Sequence, residues 1–130
     1  PTAARAAVDA FLDEPVDGRR AVVFGDMLEL GDRAAELHRE MGRYIARRDI
    51  QMLVAVGQHG RHVLEGWNQT ASSARQAMHF ASPEKAWQTL WDELRAGDGL
   101  LLKGSRDVSL EKIVTSIEEH ALNSETGAAA

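Results

Sequence analysis

Three short apolar runs, Ala21-Val22-Val23-Phe24, Met52-Leu53-Val54-Ala55-Val56 and Leu100-Leu101-Leu102, and a weaker one interrupted by a histidine, Ala77-Met78-His79-Phe80, are separated by segments whose apolar residues recur at the helical period. This alternation constrains the fold more than any other feature of the chain. Strands joined by helical crossovers are parallel, and the crossovers are right-handed, so the loops after residues 24, 56, 80 and 102 should gather on one edge of the sheet. The expected fold is α/β, a three-layer Rossmann-like domain with a mainly parallel sheet of about four to five strands.

The intervening segments supply the helices. Ala4, Ala7, Val8, Phe11 and Leu12 form a stripe after Thr2, a candidate cap, and Pro15 with Gly18 ends that segment. Asp32 is expected to cap a helix with the inward stripe Ala34, Leu37, Met41, Tyr44 and Ile45, and a shorter helix runs through Val63 and Leu64 toward Trp67. Ser82-Pro83-Glu84 reads as a helix start with a capping hydroxyl, a first-turn proline and a carboxylate at the positive end of the dipole. Trp87, Leu90, Trp91 and Leu94 on that helix are expected in the core, whereas Trp67 is open between core and partial exposure. Leu110, Ile113, Val114, Ile117 and Ala121 predict a last helix. Residues 1–122 thus read as one domain and 123–130, small and polar, as a disordered tail. Pro1 has no methionine before it, so the domain is expected to have been cut from a longer protein.

Charge and cysteine content narrow the function classes. The net charge is -5 and the basic residues are scattered, which argues against a nucleic-acid partner or a membrane-surface patch. No apolar run approaches the roughly 20 residues of a membrane span. There is no cysteine, so neither disulfides nor a thiolate metal site are available, and the cytoplasm is the expected compartment.

Two loops at the expected sheet edge carry polar chemistry: Gly25-Asp26-Met27-Leu28-Glu29-Leu30-Gly31 after the first strand and Lys103-Gly104-Ser105-Arg106 after the last. In open α/β sheets ligands bind beyond the carboxyl ends of the strands. Lys103 offers a point charge for a phosphate or carboxylate, and Arg106 a bidentate grip on a carboxylate. Gly104 permits close approach of backbone N–H groups, and Ser105 supplies a hydroxyl. Without further context the same residues also suit a solvated turn.

These two loops, in this order and with His38 in the helix after the first, resemble the C-terminal domain of the Mur ligase family, over Pro1 to about Ala121. The resemblance implies an ATP-dependent amide ligase of peptidoglycan synthesis that adds D-alanyl-D-alanine to UDP-N-acetylmuramoyl-tripeptide, and so a part in cell wall biogenesis, cell shape and cell division. It implies three domains, with ATP and magnesium held by a P-loop in the central one. This chain has no Gly-x-x-x-x-Gly-Lys-[Ser/Thr] sequence, so no cofactor is expected on this domain and the isolated fragment is expected to be inactive. The tripeptide substrate and ATP would be met through the N-terminal and central domains. The family's C-terminal domain also begins with a strand and a Tyr-Asn-Ala-Asn-Pro segment, of which only Pro1 could correspond here.

On this reading Lys103, Gly104, Ser105, Arg106, Asp26 and Glu29 bind substrate, with the two acids suited to a cationic amine or a ribose hydroxyl. The alternative for Asp26 and Glu29 is helix-cap and dipole chemistry. Gly25 and Gly31 are expected to permit backbone conformations, and His38, one position from an apolar stripe, to pack and bond a neighbouring loop. His59 and His62 stand three apart without a third ligand, so no metal site is expected. A receiver-like signalling or plain Rossmann-like interaction module is the competing reading. A receiver, however, needs paired acids after its first strand and an acceptor aspartate after its third. Asp26 stands alone after the first, and Val56-Gly57-Gln58-His59 and Phe80-Ala81-Ser82 hold no aspartate.

Overall fold

The computed structural model describes residues 2–72, 74–103 and 111–114. After the helix α1 (Thr2–Asp13) come the strand β1 (Arg20–Phe24), a 3-10 turn at Gly31–Arg33 and α2 (Ala34–Ala46). They are followed by β2 (Met52–Val56), α3 (Gly60–Asn68), β3 (Gln76–Phe80), α4 (Pro83–Glu93), β4 (Gly99–Lys103) and β5 (Glu111–Val114). The sheet order is β3-β2-β1-β4-β5, with the first four strands parallel and β5 antiparallel to β4.

Alternation along each strand divides the core in two. Val22, Phe24, Leu53, Ala55 and Leu101 point to one face, where they meet Ala7, Val8 and Phe11 of α1, Met41 and Ile45 of α2, and Val63 and Trp67 of α3. Ala21, Met52, Val54 and Leu100 point to the other, against Ala86 and Leu90 of α4 and the following Leu94. The two-sided burial explains why these strands read as continuous apolar runs rather than alternating ones.

Topology dictates this distribution. From β1 the chain steps outward through α2 to β2 and through α3 to β3, and right-handed crossovers in one direction place both helices on one face. The α4 crossover returns from β3 past β2 and β1 to β4, so the same handedness puts α4 on the opposite face. Glycines bring α2 and α3 into close contact: a Cβ on Gly42 would lie 1.9 Å from the Val63 carbonyl oxygen, and one on Gly66 would lie 2.0 Å from that of Arg39.

Several expectations need correction. The helical period of Leu110, Ile113 and Val114 predicts a helix, but residues 111–114 pair with β4 as a strand, because the open edge of β4 offers ladder hydrogen bonds that local periodicity does not register. Ile117, Ala121 and the proposed tail lie outside the described residues. Asp32 does not cap α2: it sits within the 3-10 turn, and Arg33, at the cap position, makes no side-chain bond to the helix end. Ser82 is at the cap of α4 with extended backbone, yet its hydroxyl makes no capping bond, leaving Pro83 as the start signal that operates. Trp87 is 37% exposed, because the buried stripe of α4 runs through Ala86 and Leu90 to the following Leu94 and leaves Trp87 at its margin, whereas Trp67 is buried at 2%.

A candidate ligand site at the carboxyl edge of the sheet

Strand order reverses direction between β1 and β4: the chain runs from β1 toward β2 on one side and arrives at β4 on the other. Such a reversal opens a crevice at the carboxyl ends of the two central strands, because the connections leave them to opposite sides. Phe24 pairs in register with Lys103, and the Gly25 N–H donates to the Lys103 carbonyl oxygen at 3.1 Å. The loop after β1 and the lysine that ends β4 therefore start from one point, although they are far apart in sequence.

The loop after β2 joins the same edge through Asp26. Its Oδ2 accepts the Gln58 N–H and its Oδ1 the His59 N–H, both at 2.9 Å. Gly57, with φ at +115°, turns the chain so that these two amides face the carboxylate, and its own N–H donates to the Phe80 carbonyl oxygen at 2.9 Å. Both oxygens of Asp26 are thus engaged with backbone, and the carboxylate holds the entry to α3 where the helix dipole favours negative charge.

His38 reaches the loop from below. It is fully buried on α2, with Nε2 3.0 Å from the Met27 amide nitrogen and Nδ1 2.6 Å from the Ala34 carbonyl oxygen. Its ring stacks on that of His59 with centroids 4.7 Å apart, and His59 in turn stacks on His62 at 5.8 Å. Burial depresses the His38 pKa below its ordinary value; the Ala34 carbonyl opposes this, His59 adds to it, Asp26 opposes it and His62 adds to it. At the outer end His62 Nδ1 lies 2.8 Å from a Glu65 carboxylate oxygen that also accepts from Arg39 Nε at 3.1 Å.

Between these anchors the loop arches outward. Met27 packs against the core, Leu28 is 51% exposed, and Glu29 is exposed with φ at +57°, a conformation that a side chain with a Cβ rarely adopts. Gly31 at φ +58° completes the turn into α2. The structure therefore brings Gly25, Asp26, Glu29, Gly31, His38 and Lys103 to one edge. It gives the two acids different surroundings, since the Asp26 carboxylate is bound to the loop after β2 and Glu29 is exposed. Gly104, Ser105 and Arg106 lie outside the described residues. Gln58 and His59, in the loop after β2 expected at this edge, belong to it too, but their links to Asp26 and His38 are purely tertiary and no spacing in the sequence marks them.

Among the described residues no group of three or more His, Asp or Glu side chains is arranged to hold a metal. None of the described helices is long and apolar enough to cross a membrane.

Comparison with known proteins agrees with this geometry. A family model described as Mur ligase, glutamate ligase domain, matches residues 1–106. The chain is 32% identical over 125 residues to the UDP-N-acetylmuramoyl-tripeptide--D-alanyl-D-alanine ligase of Bacillus subtilis (strain 168), covering 95% of this chain and 27% of that protein. It is 34% identical over 118 residues to the ligase of the same name from Mycobacterium tuberculosis (strain ATCC 25618 / H37Rv), covering 80% of this chain and 23% of that protein. A crystal structure of MurF from Acinetobacter baumannii superposes with a TM-score of 0.69 at 31% identity, over 82% of this chain and 23% of that one. The chain spans about a quarter of the length of the relatives it matches.

Proposed function

The chain belongs to the Mur ligase family, as its glutamate ligase domain, and from that premise we propose that it is the C-terminal substrate-binding and closing domain of an ATP-dependent amide ligase. In that ligase D-alanyl-D-alanine is joined to UDP-N-acetylmuramoyl-tripeptide during cytoplasmic peptidoglycan synthesis. The observation that supports this reading best is the convergence of the Gly25–Gly31 loop and Lys103 at the β1/β4 reversal, in a chain whose matched relatives carry that ligase name.

The residues of this domain bind and orient. Lys103 ends β4 beside Phe24 at the β1/β4 reversal, and Gly104, Ser105 and Arg106 follow it directly in sequence. Arg106 takes the carboxylate of the dipeptide bidentately, and Lys103 serves as a point charge for a carboxylate or phosphate. Glu29 is the acid available to the cationic amine of the incoming dipeptide, while Asp26 keeps the two loops together. The amine attacks only after losing a proton, and an exposed carboxylate beside it eases that loss. The described side chains at this edge do not form a metal site and the chain has no P-loop sequence, so ATP and magnesium are assigned to the rest of the enzyme. Activation of the tripeptide carboxyl group by ATP is the chemistry supplied there.

The test is ATP-dependent ligation by the full-length enzyme. With UDP-N-acetylmuramoyl-tripeptide as the carboxyl donor, amide product, ADP and phosphate should form with D-alanyl-D-alanine as the amine and not with single amino acids. ADP release with a different amine would reassign the substrate, and none with any amine would overturn the reading.

A further inference from the structure

We propose that His38 is a positioning residue for the ligand loop, acting as a neutral imidazole that carries its proton on Nδ1 and accepts the Met27 N–H on Nε2. The inference rests on the ligand-site reading above, but the tautomer itself follows from the fold alone. Met27 has only an N–H to offer, so the ring nitrogen 3.0 Å from it must be the acceptor. The Ala34 carbonyl oxygen has only lone pairs to offer, so the nitrogen 2.6 Å from it must be the donor. One neutral tautomer satisfies both, and either the other tautomer or the imidazolium sets a ring N–H against the Met27 N–H.

The position of this bond gives it consequence. Gly25 is tied to β4, Asp26 to the loop after β2, and Gly31 leads into α2. From Met27 to Leu30 the one bond from a side chain of the domain to a loop amide, among the described residues, is that from His38. It therefore fixes where the arch leaves the core, and with it the place at which Leu28 and Glu29 emerge.

The surroundings favour the neutral form. His38 is fully buried, and the groups facing it are Asp26, whose charge favours an imidazolium, and His59 and His62, which oppose one. The same stack aligns the β2–α3 loop, because His59 lies against His38 while its N–H is held by Asp26. The loops after β1 and β2 thus share a polar anchor in Asp26 and an imidazole wedge in His38.

Three measurements on the full-length ligase test the proposal. Ring nitrogen chemical shifts of His38 should report protonation on Nδ1 at neutral pH, and a proton on Nε2 would overturn it without any variant. Hydrogen exchange at Met27 should rise about tenfold in His38→Leu, the factor that one lost net hydrogen bond corresponds to, with the amides of β1 and β2 unchanged. An unchanged Met27 would overturn the bond's role. KM for the dipeptide should rise about tenfold in His38→Leu with kcat nearly held, and His38→Gln, which keeps an acceptor, should recover most of it. Loosened Met27 exchange with an unchanged KM would refute positioning while leaving the ligase reading intact. Should the wild-type enzyme not ligate the dipeptide, the functional reading fails and the positioning role fails with it, whereas the first two measurements still decide the tautomer and the bond. If His38→Leu does not fold, His38→Gln and the wild-type ring shifts carry the test.

Discussion

The Asp26 carboxylate fills the space that a side chain on Gly57 would need: its Cγ and both Oδ atoms lie 2.7 Å from where a Cβ would stand. Gly57 also holds φ at +115°, so two independent constraints fall on one residue.

Gly57→Ala should therefore destabilise the domain by about 1–3 kcal/mol, the range for a residue forced into a sparsely populated conformation. Denaturant unfolding measures it. Adding Asp26→Ala removes the collision but leaves the φ strain, so the double variant should be more stable than additivity predicts. Strict additivity would show that the collision is relieved without cost.

Asp26 illustrates how far the sequence can be read. A strand followed by Gly-Asp at a sheet edge is legible from apolar runs and glycine punctuation, and so are the parallel β1, β2, β3 and β4. The partner of Asp26 is not legible, because Gln58 and His59 stand 32 and 33 positions away and only tertiary packing joins them. The same limit applies to His38, whose place beside an apolar stripe suggests packing and a bond to a neighbouring loop but does not single out Met27 as the partner. It also explains residues 111–114, whose helix-like spacing competes with a neighbouring strand edge that no local window contains.

Arg75 is a second link invisible in the sequence. Its guanidinium donates to the carbonyl oxygens of Arg48 and Ile50 at 3.0 Å and of Ala46 at 2.6 Å, and lies 4.8 Å from the Trp67 ring centroid. It closes the end of α2, where carbonyls lack intrahelical partners, and covers the tryptophan that closes the core. Arg75→Lys keeps the charge but loses the planar fork, and should lower stability by about 2 kcal/mol in denaturant unfolding. Unchanged stability would mean that water replaces the fork fully.

The close approach of α2 and α3 gives a steric prediction. A Cβ on Gly66 would lie 2.0 Å from the Arg39 carbonyl oxygen and 3.0 Å from the Arg43 amide nitrogen, and both are backbone atoms that no rotamer change moves aside. Gly66→Ala improves helix propensity by about 1 kcal/mol, yet it should still destabilise, because separating two packed helices costs about 1–3 kcal/mol or more. A raised melting temperature would show that the helices separate freely.

Asp98 contributes to the acid limb of stability. The carboxylate is 3% exposed, and burial by itself would raise its pKa. Bonds from the Arg19 side chain, the Arg95 N–H and the Arg19 N–H outweigh this and hold it below the ordinary 3.8. The unfolded chain then binds more protons than the folded one just below 3.8, so stability is complete above that value and is lost as pH falls through the folded pKa. Asp98→Asn should be less stable at neutral pH and should lose less stability on acidification than the wild type. Parallel acid slopes for the two proteins would exclude Asp98 as the titrating group.

The loop that follows β4 carries the sharpest functional prediction. Arg106 lies three residues beyond Lys103, whose backbone is fixed between Phe24 on β1 and Glu111 on β5. A guanidinium that grips the dipeptide carboxylate loses charge-assisted bonds on truncation, a change of about 1.5–3 kcal/mol, so Arg106→Ala in the full-length ligase should raise KM for D-alanyl-D-alanine by about ten- to a hundredfold. Its melting temperature should stay close to that of the wild type, since a residue serving only the ligand contributes little to the core. Arg106→Lys should recover only part of the loss, because an ammonium restores charge but not the fork. Equal dipeptide affinities for wild type and Arg106→Ala would remove Arg106 from the site and leave Lys103 as the anion contact at the β1/β4 crevice.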